Sequence, residues 1–323
     1  MFWQRILFGS LMIAALVGVV VIDGKWSEQM QGLSSYCTDS LCARGMLLRG
    51  LPMTLLMLGL LIPAVYELGR LCRLGGYRPA VHWSAFVAVG LAIVPWLEMQ
   101  YRMAPADGLV PLLSIDLSPS VLWLTGGLLG ACLVILARKT TERAISNIAI
   151  TLFIMIYLGL LGSFAVRIRC LHPGMAGSAL IIYFIISVKS GDIGAYFTGR
   201  LFGKHKLIPW LSPGKTIEGG IGAIVFAGGV STGLIALWSY LAADILPLGT
   251  PPLQLSQAFV FGALMAVFGH FGDLVESAIK RDVGSKDSGR IIPAFGGLLD
   301  LLDSPLVAAP IAWGYLTILG DLG

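Results

Sequence analysis

Long apolar stretches alternate with short polar segments along the whole chain. A helix needs roughly 20 predominantly apolar residues to cross about 30 Å of hydrocarbon. Nine stretches come near this length, at residues 6–22, 47–66, 80–97, 119–137, 146–166, 176–198, 217–241, 253–275 and 295–319. The pattern therefore predicts an all-α fold, a polytopic membrane helical bundle with about nine transmembrane helices.

The composition of the chain also indicates a membrane protein. Of the 323 residues, 56% are hydrophobic and only 12% are charged, whereas a soluble domain carries roughly 25% charged residues. So few charges cannot cover a water-facing surface, and we predict a single integral membrane domain over residues 1–323. The net charge of +4 is attributed to loop cations that face anionic headgroups. Because no aromatic–basic motif accompanies these cations, nucleic acid is not expected as a partner.

Lysine and arginine residues are distributed unevenly between the predicted loops. If the N-terminus is cytoplasmic, 16 of the 22 lie on the cytoplasmic side and six lie outside, as the positive-inside rule requires. We therefore expect a cytoplasmic N-terminus in a bacterial inner membrane. The first helix lacks a convincing small-residue cleavage site and is expected to be retained. The loop with Cys37 and Cys42 is then external, where the two thiols either pair or stay reduced.

Charged residues concentrate between the last two apolar stretches. If the eighth helix continues through this region, Asp273 and Lys280 lie at i and i+7 and share one face. Asp300 follows after a short polar turn, within the last apolar stretch. Two carboxylates on separate helices, with four cations between them, suit a metal-bound polyphosphate, because Mg²⁺ prefers hard oxygen ligands and Lys and Arg bind phosphate. The alternative is a pair of buried salt bridges from Asp273 and Asp300 to Lys280 and Lys286.

Two further polar segments precede this region. Asp192 lies inside the stretch at 176–198, where an ionisable group is costly unless it has a partner or lines a wet cavity. A structural pair with Lys189 is the alternative to a role in the site. The segment at 212–219 contains Ser-Pro followed by Thr216, which predicts a turn into a new helix whose amide groups favour anions.

Residues 1–170 offer little chemistry. Glu67 and Arg70 lie at i, i+3 near a predicted helix end, and this spacing favours an interfacial ion pair. We therefore regard 1–170 as N-terminal helices of unclear role and 171–323 as the catalytic half.

The spacing of the polar residues resembles the phosphatidate cytidylyltransferase (CDP-diacylglycerol synthase) family. The C-terminal motif consists of Ser277-x-Ile279-Lys280-Arg281, Lys286-Asp287-x-Gly289 and Ile292-Pro293-x-x-Gly296-Gly297-Leu298-x-Asp300-x-x-Asp303. Two earlier segments, at residues 190–204 and 212–219, are also similar to the family's pattern. The chain departs from that pattern at Phe295, Leu301, Gly214 and Ile217. The N-terminal helices match it only in hydropathy.

The resemblance, together with the chemistry of these side chains, implies three groups of site residues. The expected catalytic residues are Lys280, Arg281, Lys286, Lys215, Ser277 and Asp287. The expected nucleotide contacts are Lys215, Lys280, Arg281, Gly296 and Gly297. The expected ligands of Mg²⁺, with a second cation possible, are Asp273, Asp300, Asp192 and Asp303.

The function that the resemblance implies is cytidylyl transfer from CTP to phosphatidic acid in the membrane. The site would face the cytoplasm, and the resemblance also implies a homodimer. Two alternatives stay open. The first is a CTP-dependent enzyme that acts on an isoprenoid or archaeal-type lipid, or as a lipid kinase. The second is a non-catalytic membrane transporter or scaffold.

Overall fold

A computed structural model describes residues 15–29, 50–103, 118–172, 174–246, 248–285, 287–289 and 296–320. Most of these residues are helical. The helices are α1 (15–29), α2 (Leu51–Leu74), α3 (Val81–Met103), α4 (Pro119–Leu136), α5 (Ala144–Arg169), α6 (Gly174–Phe202), α7 (Ile217–Asp244), α8 (Leu255–Asp282) and α9 (Leu299–Gly320). A short antiparallel hairpin, β1 (Lys206–Ile208) and β2 (Ser212–Thr216), joins α6 to α7.

Eight of the described helices, α2 to α9, are long and apolar enough to cross a membrane. They correspond one to one with the second to ninth predicted stretches, so the polytopic all-α prediction is confirmed. The first predicted stretch, 6–22, lies partly outside the described residues. Cys37 and Cys42 both lie outside them. Most helices run further than predicted, and the longest extensions are those of α2 to Leu74 and α8 to Asp282. Hydropathy marks only the apolar part of a helix. The helix can continue into polar residues beyond that part when their side chains are hydrogen-bonded or solvated.

Consecutive helices of the C-terminal half run antiparallel and pack closely. Gly194 of α6 lies against α7, where an added Cβ would come within 2.9 Å of the Gly222 carbonyl oxygen. The α8–α9 pair is equally close, since an added Cβ at Gly272 would lie 2.3 Å from the Asp303 carbonyl oxygen. Small residues allow backbones in a membrane to approach in this way. Polar groups on facing helices are thereby brought within reach of one another.

The C-terminal ends of α2 and α8 and the start of α5 meet at one end of the bundle, here called the loop end. An added Cβ at Gly75, just after α2, would lie 3.0 Å from the Val283 side chain just after α8. The Arg143 side chain, which precedes α5, donates a hydrogen bond of 3.0 Å to the Gly76 carbonyl oxygen. The loop end therefore gathers the segments that contain the C-terminal motif.

A buried ionic network, here called the Arg169 network, ties four helices together at the opposite end. The Arg169 guanidinium donates to the Asp23 carboxylate of α1, to Ser27 Oγ at 2.9 Å and to the His172 carbonyl oxygen at 3.2 Å. Asp23 also accepts a hydrogen bond from Ser178 Oγ of α6 at 2.8 Å and one from the Met53 amide of α2 at 3.2 Å. Each charge of this network therefore has an opposite charge and neutral donors or acceptors.

Candidate functional site

Three carboxylates from two helices form an acidic cluster near the loop end. Asp273 and Glu276 lie one turn apart on α8, and Asp303 lies in the second turn of α9. One carboxylate oxygen from each lies within 4.8 Å of the other two. The close approach of α9 to Gly272 places Asp303 beside the α8 pair. Oxygen ligands at this spacing are suited to a hard divalent cation.

Two lysines flank the acidic cluster. Lys215 Nζ, from the hairpin, lies 2.6 Å from Asp273 Oδ2. Lys280 Nζ, on α8, lies 2.9 Å from Glu276 Oε2 and 2.7 Å from Asp300 Oδ1. When ionised, the cluster and Asp300 carry four negative charges against two positive charges from the lysines. These residues therefore keep a formal charge of −2.

Glu276 gives further evidence that protein groups alone do not satisfy the cluster. Its side chain is only 1% exposed, and Oε1 is buried without a hydrogen-bond partner in the described part of the chain. A buried unpaired carboxylate oxygen is costly, because the water that it loses is not replaced. Asp273, in contrast, is 38% exposed, so the cluster is open on one side. A cation reaching the cluster from that side would meet the excess negative charge.

Asp300 lies outside the acidic cluster. Its Oδ2 accepts hydrogen bonds from Ser288 Oγ at 2.6 Å and from the Gly297 amide at 2.8 Å, and its Oδ1 meets Lys280. Asp303, rather than Asp300, therefore joins Asp273 in the cluster, and a role of Asp300 as a metal ligand stays a prediction. For Asp300 the salt bridge to Lys280 was the alternative interpretation, and that contact is present. Asp300 thus joins Lys280, Ser288 and the Gly297 amide in one hydrogen-bonded group.

The loop before α9 also depends on two glycines. Gly296 has φ 100°, a conformation that side chains other than glycine rarely adopt. An added Cβ at Gly297 would lie 1.7 Å from Glu67 Oε1 and 1.9 Å from Ser288 Oγ. Both predicted nucleotide contacts therefore have a conformational reason to be glycine, and binding of a nucleotide to them stays a prediction.

Glu67 is a residue of the site region that sequence reasoning missed. It is buried in α2, and its Oε2 accepts hydrogen bonds from the Leu298 amide at 2.8 Å and the Leu299 amide at 3.3 Å. The predicted ion pair with Arg70 was wrong, since no salt bridge joins the two among the described residues. A carboxylate at a helix N-terminus satisfies free amides and interacts favourably with the helix dipole. Glu67 therefore caps α9, and only its burial in a polar-poor helix could have suggested a role.

The hairpin that supplies Lys215 is fixed by local contacts. Thr216 caps α7, accepting a hydrogen bond of 3.1 Å from the Gly219 amide at its side-chain oxygen. Glu218, in the first turn, pairs with His205 Nδ1 at 2.6 Å across the base of the hairpin. Lys215 Nζ also donates to the His270 carbonyl oxygen at 3.4 Å. The predicted start of a new helix after this segment is confirmed. The segment itself forms strand β2, which was not predicted.

The other predicted site residues lie at varied distances from the cluster. Asp192 pairs with Lys189 at 3.3 Å, as the structural alternative proposed, and both lie within electrostatic range of Asp303. Ser277 is half-buried, with no side-chain hydrogen bond to another described residue, and Arg281 and Asp287 are exposed. Lys286 lies outside the described residues, as does Phe295. Their assigned roles stay predictions.

Taken together, the fold and the site define an integral membrane protein with a lysine-flanked carboxylate cluster near one end of its bundle. The sequence matches the cytidylyltransferase family over residues 39–319. The chain belongs to this family and is a nucleotidyltransferase.

Several relatives are named phosphatidate cytidylyltransferase, and two of them match most of the chain. The phosphatidate cytidylyltransferase of Mycobacterium bovis is 33% identical over 263 residues, which cover 73% of this chain and 81% of the relative. The phosphatidate cytidylyltransferase of Bacillus subtilis is 33% identical over 268 residues, covering 83% and 90%. That of Staphylococcus saprophyticus is 40% identical over 136 residues, covering 42% and 48%. The resemblance seen in the sequence motifs is thus confirmed.

Proposed function

We propose that this protein transfers the cytidylyl group of CTP to phosphatidate, giving CDP-diacylglycerol and pyrophosphate on the cytoplasmic side of the membrane. The observation that supports this most directly is the acidic cluster with its two lysines, in a chain whose relatives are named phosphatidate cytidylyltransferases. Such a site can gather several phosphate groups of both substrates while their negative charges are balanced.

Mg²⁺ fits the donor set of the acidic cluster. Asp273, Glu276 and Asp303 offer hard oxygen ligands, one oxygen of Glu276 is unpaired, and the formal charge of −2 matches one divalent cation. When bound, the cation would neutralise phosphate oxygens and polarise the reacting phosphoryl group. We assign the ligand role to these three residues and a positioning role to Asp300. Asp192, next to the cluster, is the residue that a second cation would use.

The nucleophile in this reaction is a phosphate oxygen of phosphatidate. It forms a bond to the α-phosphorus of CTP, while the bond from that phosphorus to the bridging oxygen breaks and pyrophosphate leaves with the electron pair. A phosphate monoester carries a charge of about −1.5 to −2 at pH 7, so a protein base is not required. The work of the protein is positioning and charge stabilisation.

Lys215 and Lys280 are the cations best placed for this stabilisation. Both ammonium groups are already fixed by carboxylates, Lys215 by Asp273 and Lys280 by Glu276 and Asp300. Fixed charges do not have to reorganise when negative charge develops on phosphate oxygens. Arg281 and Lys286 would contribute from the adjoining segment, as the family resemblance implies. The nucleotide would approach the glycines of the loop before α9.

The proposed cytoplasmic location of the site follows from the loop cations. Arg78, Arg138, Lys139 and Arg143 lie in the loops of the loop end, whereas Arg167 and Arg169 near the other end are paired with Glu98 and Asp23. Lysine and arginine residues in short loops favour the cytoplasmic side. The resemblance further implies a homodimer, which mass photometry of the protein in nanodiscs would test.

The central experiment uses purified protein with phosphatidate, Mg²⁺ and CTP labelled at either the α- or the γ-phosphate. Cytidylyl transfer predicts that the α label enters the lipid and the γ label leaves in pyrophosphate. Entry of the γ label alone would instead establish a lipid kinase. A relative with known activity serves as the positive control in the same assay. If that relative labels its lipid and this protein does not, the proposal is contradicted and a transporter or scaffold is favoured.

A pair of variants connects this activity with the cluster. Asp303→Asn removes one proposed ligand charge while keeping the side-chain shape, and we expect the rate to fall by about 10²-fold or more. Glu142→Gln removes an exposed carboxylate in the loop before α5 and serves as the matched control, with an unchanged rate. Equal loss in both variants would show that the effect does not come from the cluster.

A further inference from the structure

The carboxylate group of Glu67 lies between two segments of the C-terminal motif. Its Oε2 accepts hydrogen bonds from the Leu298 amide at 2.8 Å and the Leu299 amide at 3.3 Å. Its Oε1 occupies the space of two missing side chains, since an added Cβ would lie 2.3 Å from it at Gly289 and 1.7 Å from it at Gly297. The backbone of both segments therefore lies against one carboxylate of α2.

Capping of α9 does not by itself account for this carboxylate. The acceptor at a helix N-terminus is usually a side chain next to the helix in sequence, whereas Glu67 comes from a distant helix. Glu67 is 4% exposed, and its Oε1 is buried without a hydrogen-bond partner among the described residues. An unpaired buried carboxylate oxygen is costly. A role beyond capping is therefore needed to explain why a carboxylate lies here.

The two segments that contact Glu67 also supply the hydrogen bonds of Asp300. Ser288 Oγ, next to Gly289 in the chain, donates to Asp300 Oδ2 at 2.6 Å. The Gly297 amide donates to the same oxygen at 2.8 Å. The other oxygen, Oδ1, accepts from Lys280 Nζ at 2.7 Å. The positions of the two segments therefore determine where Asp300 lies, and Asp300 is one of the carboxylates that hold the Lys280 ammonium group.

We propose that Glu67 is a positioning residue for the reaction, and that its carboxylate sets the spacing of the two motif segments and thereby the position of the Lys280 ammonium group. The inference rests on the proposed function, in which Lys280 stabilises charge on phosphate oxygens. It gives the N-terminal half a part in the site of the C-terminal half. It also explains why Gly289 and Gly297 have no side chain, because the carboxylate takes the space that a side chain would fill.

The first test is the steady-state rate of labelled-CTP transfer by purified full-length protein in detergent, expressed per folded molecule. Glu67→Ala removes the carboxylate, and we expect kcat to fall by about 10²-fold, as when a catalytic group is displaced by about 1 Å. The KM for CTP should change less, because Lys280 acts mainly on charge that develops in the transition state. Glu67→Gln keeps an acceptor for the Leu298 and Leu299 amides and should restore most of the rate.

The second test is a double-mutant cycle that uses the melting temperature and needs no activity. In the parent, Gly289→Ala should lower the melting temperature, because the new methyl group displaces the Glu67 carboxylate from the Leu298 and Leu299 amides. In the Glu67→Ala background the same change meets open space and should cause no further loss, so the two effects are not additive. Gly314→Ala, where no atom lies within 4 Å of an added Cβ, should not lower the melting temperature in either background.

Glu98→Ala is the matched control for the loss of a carboxylate from the N-terminal half. Glu98 lies in α3 and pairs with Arg167 at 3.1 Å, near the end of the bundle opposite the loop end. We expect Glu98→Ala to melt at a lower temperature than the parent and to keep its kcat per folded molecule. The control thus separates a loss of stability from a loss of positioning.

Three outcomes would overturn the inference. They are an unchanged kcat per folded molecule in Glu67→Ala, a Glu67→Gln variant as slow as Glu67→Ala, and additive effects of Glu67→Ala and Gly289→Ala on the melting temperature. A parent that forms CDP-lipid while Glu67→Ala keeps its kcat would refute the role of Glu67 and leave the proposed function intact. A parent that forms no CDP-lipid would contradict the proposed function, and the role of Glu67 in that reaction with it.

Discussion

The described part of the chain contains two buried ionic groups at opposite ends of the bundle, and they differ in how their charges are balanced. In the Arg169 network one cation faces one anion, Asp23, and Ser27, Ser178, the His172 carbonyl group and the Met53 amide supply the remaining hydrogen bonds. In the acidic cluster and its surroundings, carboxylates outnumber lysines by two, and Glu276 Oε1 has no partner.

This difference separates a structural role from a functional one. Burying charges costs desolvation free energy, and in a network whose members are all partnered the protein itself compensates that cost. In a cluster with excess charge and an unpaired oxygen the cost is not fully compensated, so binding of a cation is favourable. Among ionisable residues inside a membrane protein, those whose charges the protein does not balance are therefore the ones that indicate a ligand site.

The largest expected effect comes from breaking the Arg169 network. Arg169→Ala leaves Asp23 buried without a counter-charge, and such a change destabilises a protein by about 3–5 kcal/mol. We expect a large drop in melting temperature, with the folded fraction retaining its activity per molecule. Differential scanning fluorimetry in detergent measures the first quantity, and the labelled-CTP assay on the folded fraction measures the second.

The double variant Asp23→Asn with Arg169→Met sharpens this test. Replacing both charges removes the uncompensated ion, so much of the lost stability should return. If the double variant were no more stable than Arg169→Ala, the network would owe its effect to something other than charge balance.

Glu276→Gln is expected to have the opposite profile, a large effect on activity with little on stability. The amide can still accept a hydrogen bond from Lys280, but the cluster loses one negative charge. The rate should fall by about 10²-fold or more, while the melting temperature in EDTA stays equal or rises because repulsion between carboxylates is relieved. A lower melting temperature with full activity would place Glu276 with the structural network instead.

Glu67→Gln should have the smallest effect of the three. The amide oxygen can still accept from the Leu298 and Leu299 amides, so mainly the interaction of the negative charge with the α9 dipole is lost, worth about 1 kcal/mol. We expect a shift of a few degrees in melting temperature and a rate loss below about tenfold, because the loop before α9 becomes less ordered. An effect as large as that of Glu276→Gln would show that Glu67 takes part in the site directly.

The hydrophobic pattern predicted the spanning helices well because hydrocarbon imposes one length on all of them. It could not predict which carboxylates meet. Asp300 and Asp303 are three residues apart on α9, and the rotation of that helix against Gly272 decides that Asp303 faces Asp273 while Asp300 faces Lys280. Glu276 was within reach of sequence reasoning, since it lies at i+3 from Asp273 and at i−4 from Lys280.

Two other contacts could not be found from the sequence. Glu67 lies 231 residues before the Leu298 amide that it accepts from, and no local pattern marks that pairing. The π turn at Met155–Leu160 lies within a helix whose apolar pattern shows no break. Both features lie in the N-terminal half, where hydropathy alone suggested little chemistry.

The contacts of Lys215 and Lys280 also bear on how the chain enters the bilayer during synthesis. Lys215 precedes Asp273 in the chain, and Lys280 lies on the same helix as Glu276, at i+4. Of the three acidic side chains of α8, Asp273 and Glu276 therefore have their cations in the chain before α9 is synthesised. Asp300 then pairs with Lys280 of α8. Because of this order, Asp273, Glu276 and Asp300 each have a cation available when they enter the bilayer, and Asp303 is the last acid of the cluster to be synthesised.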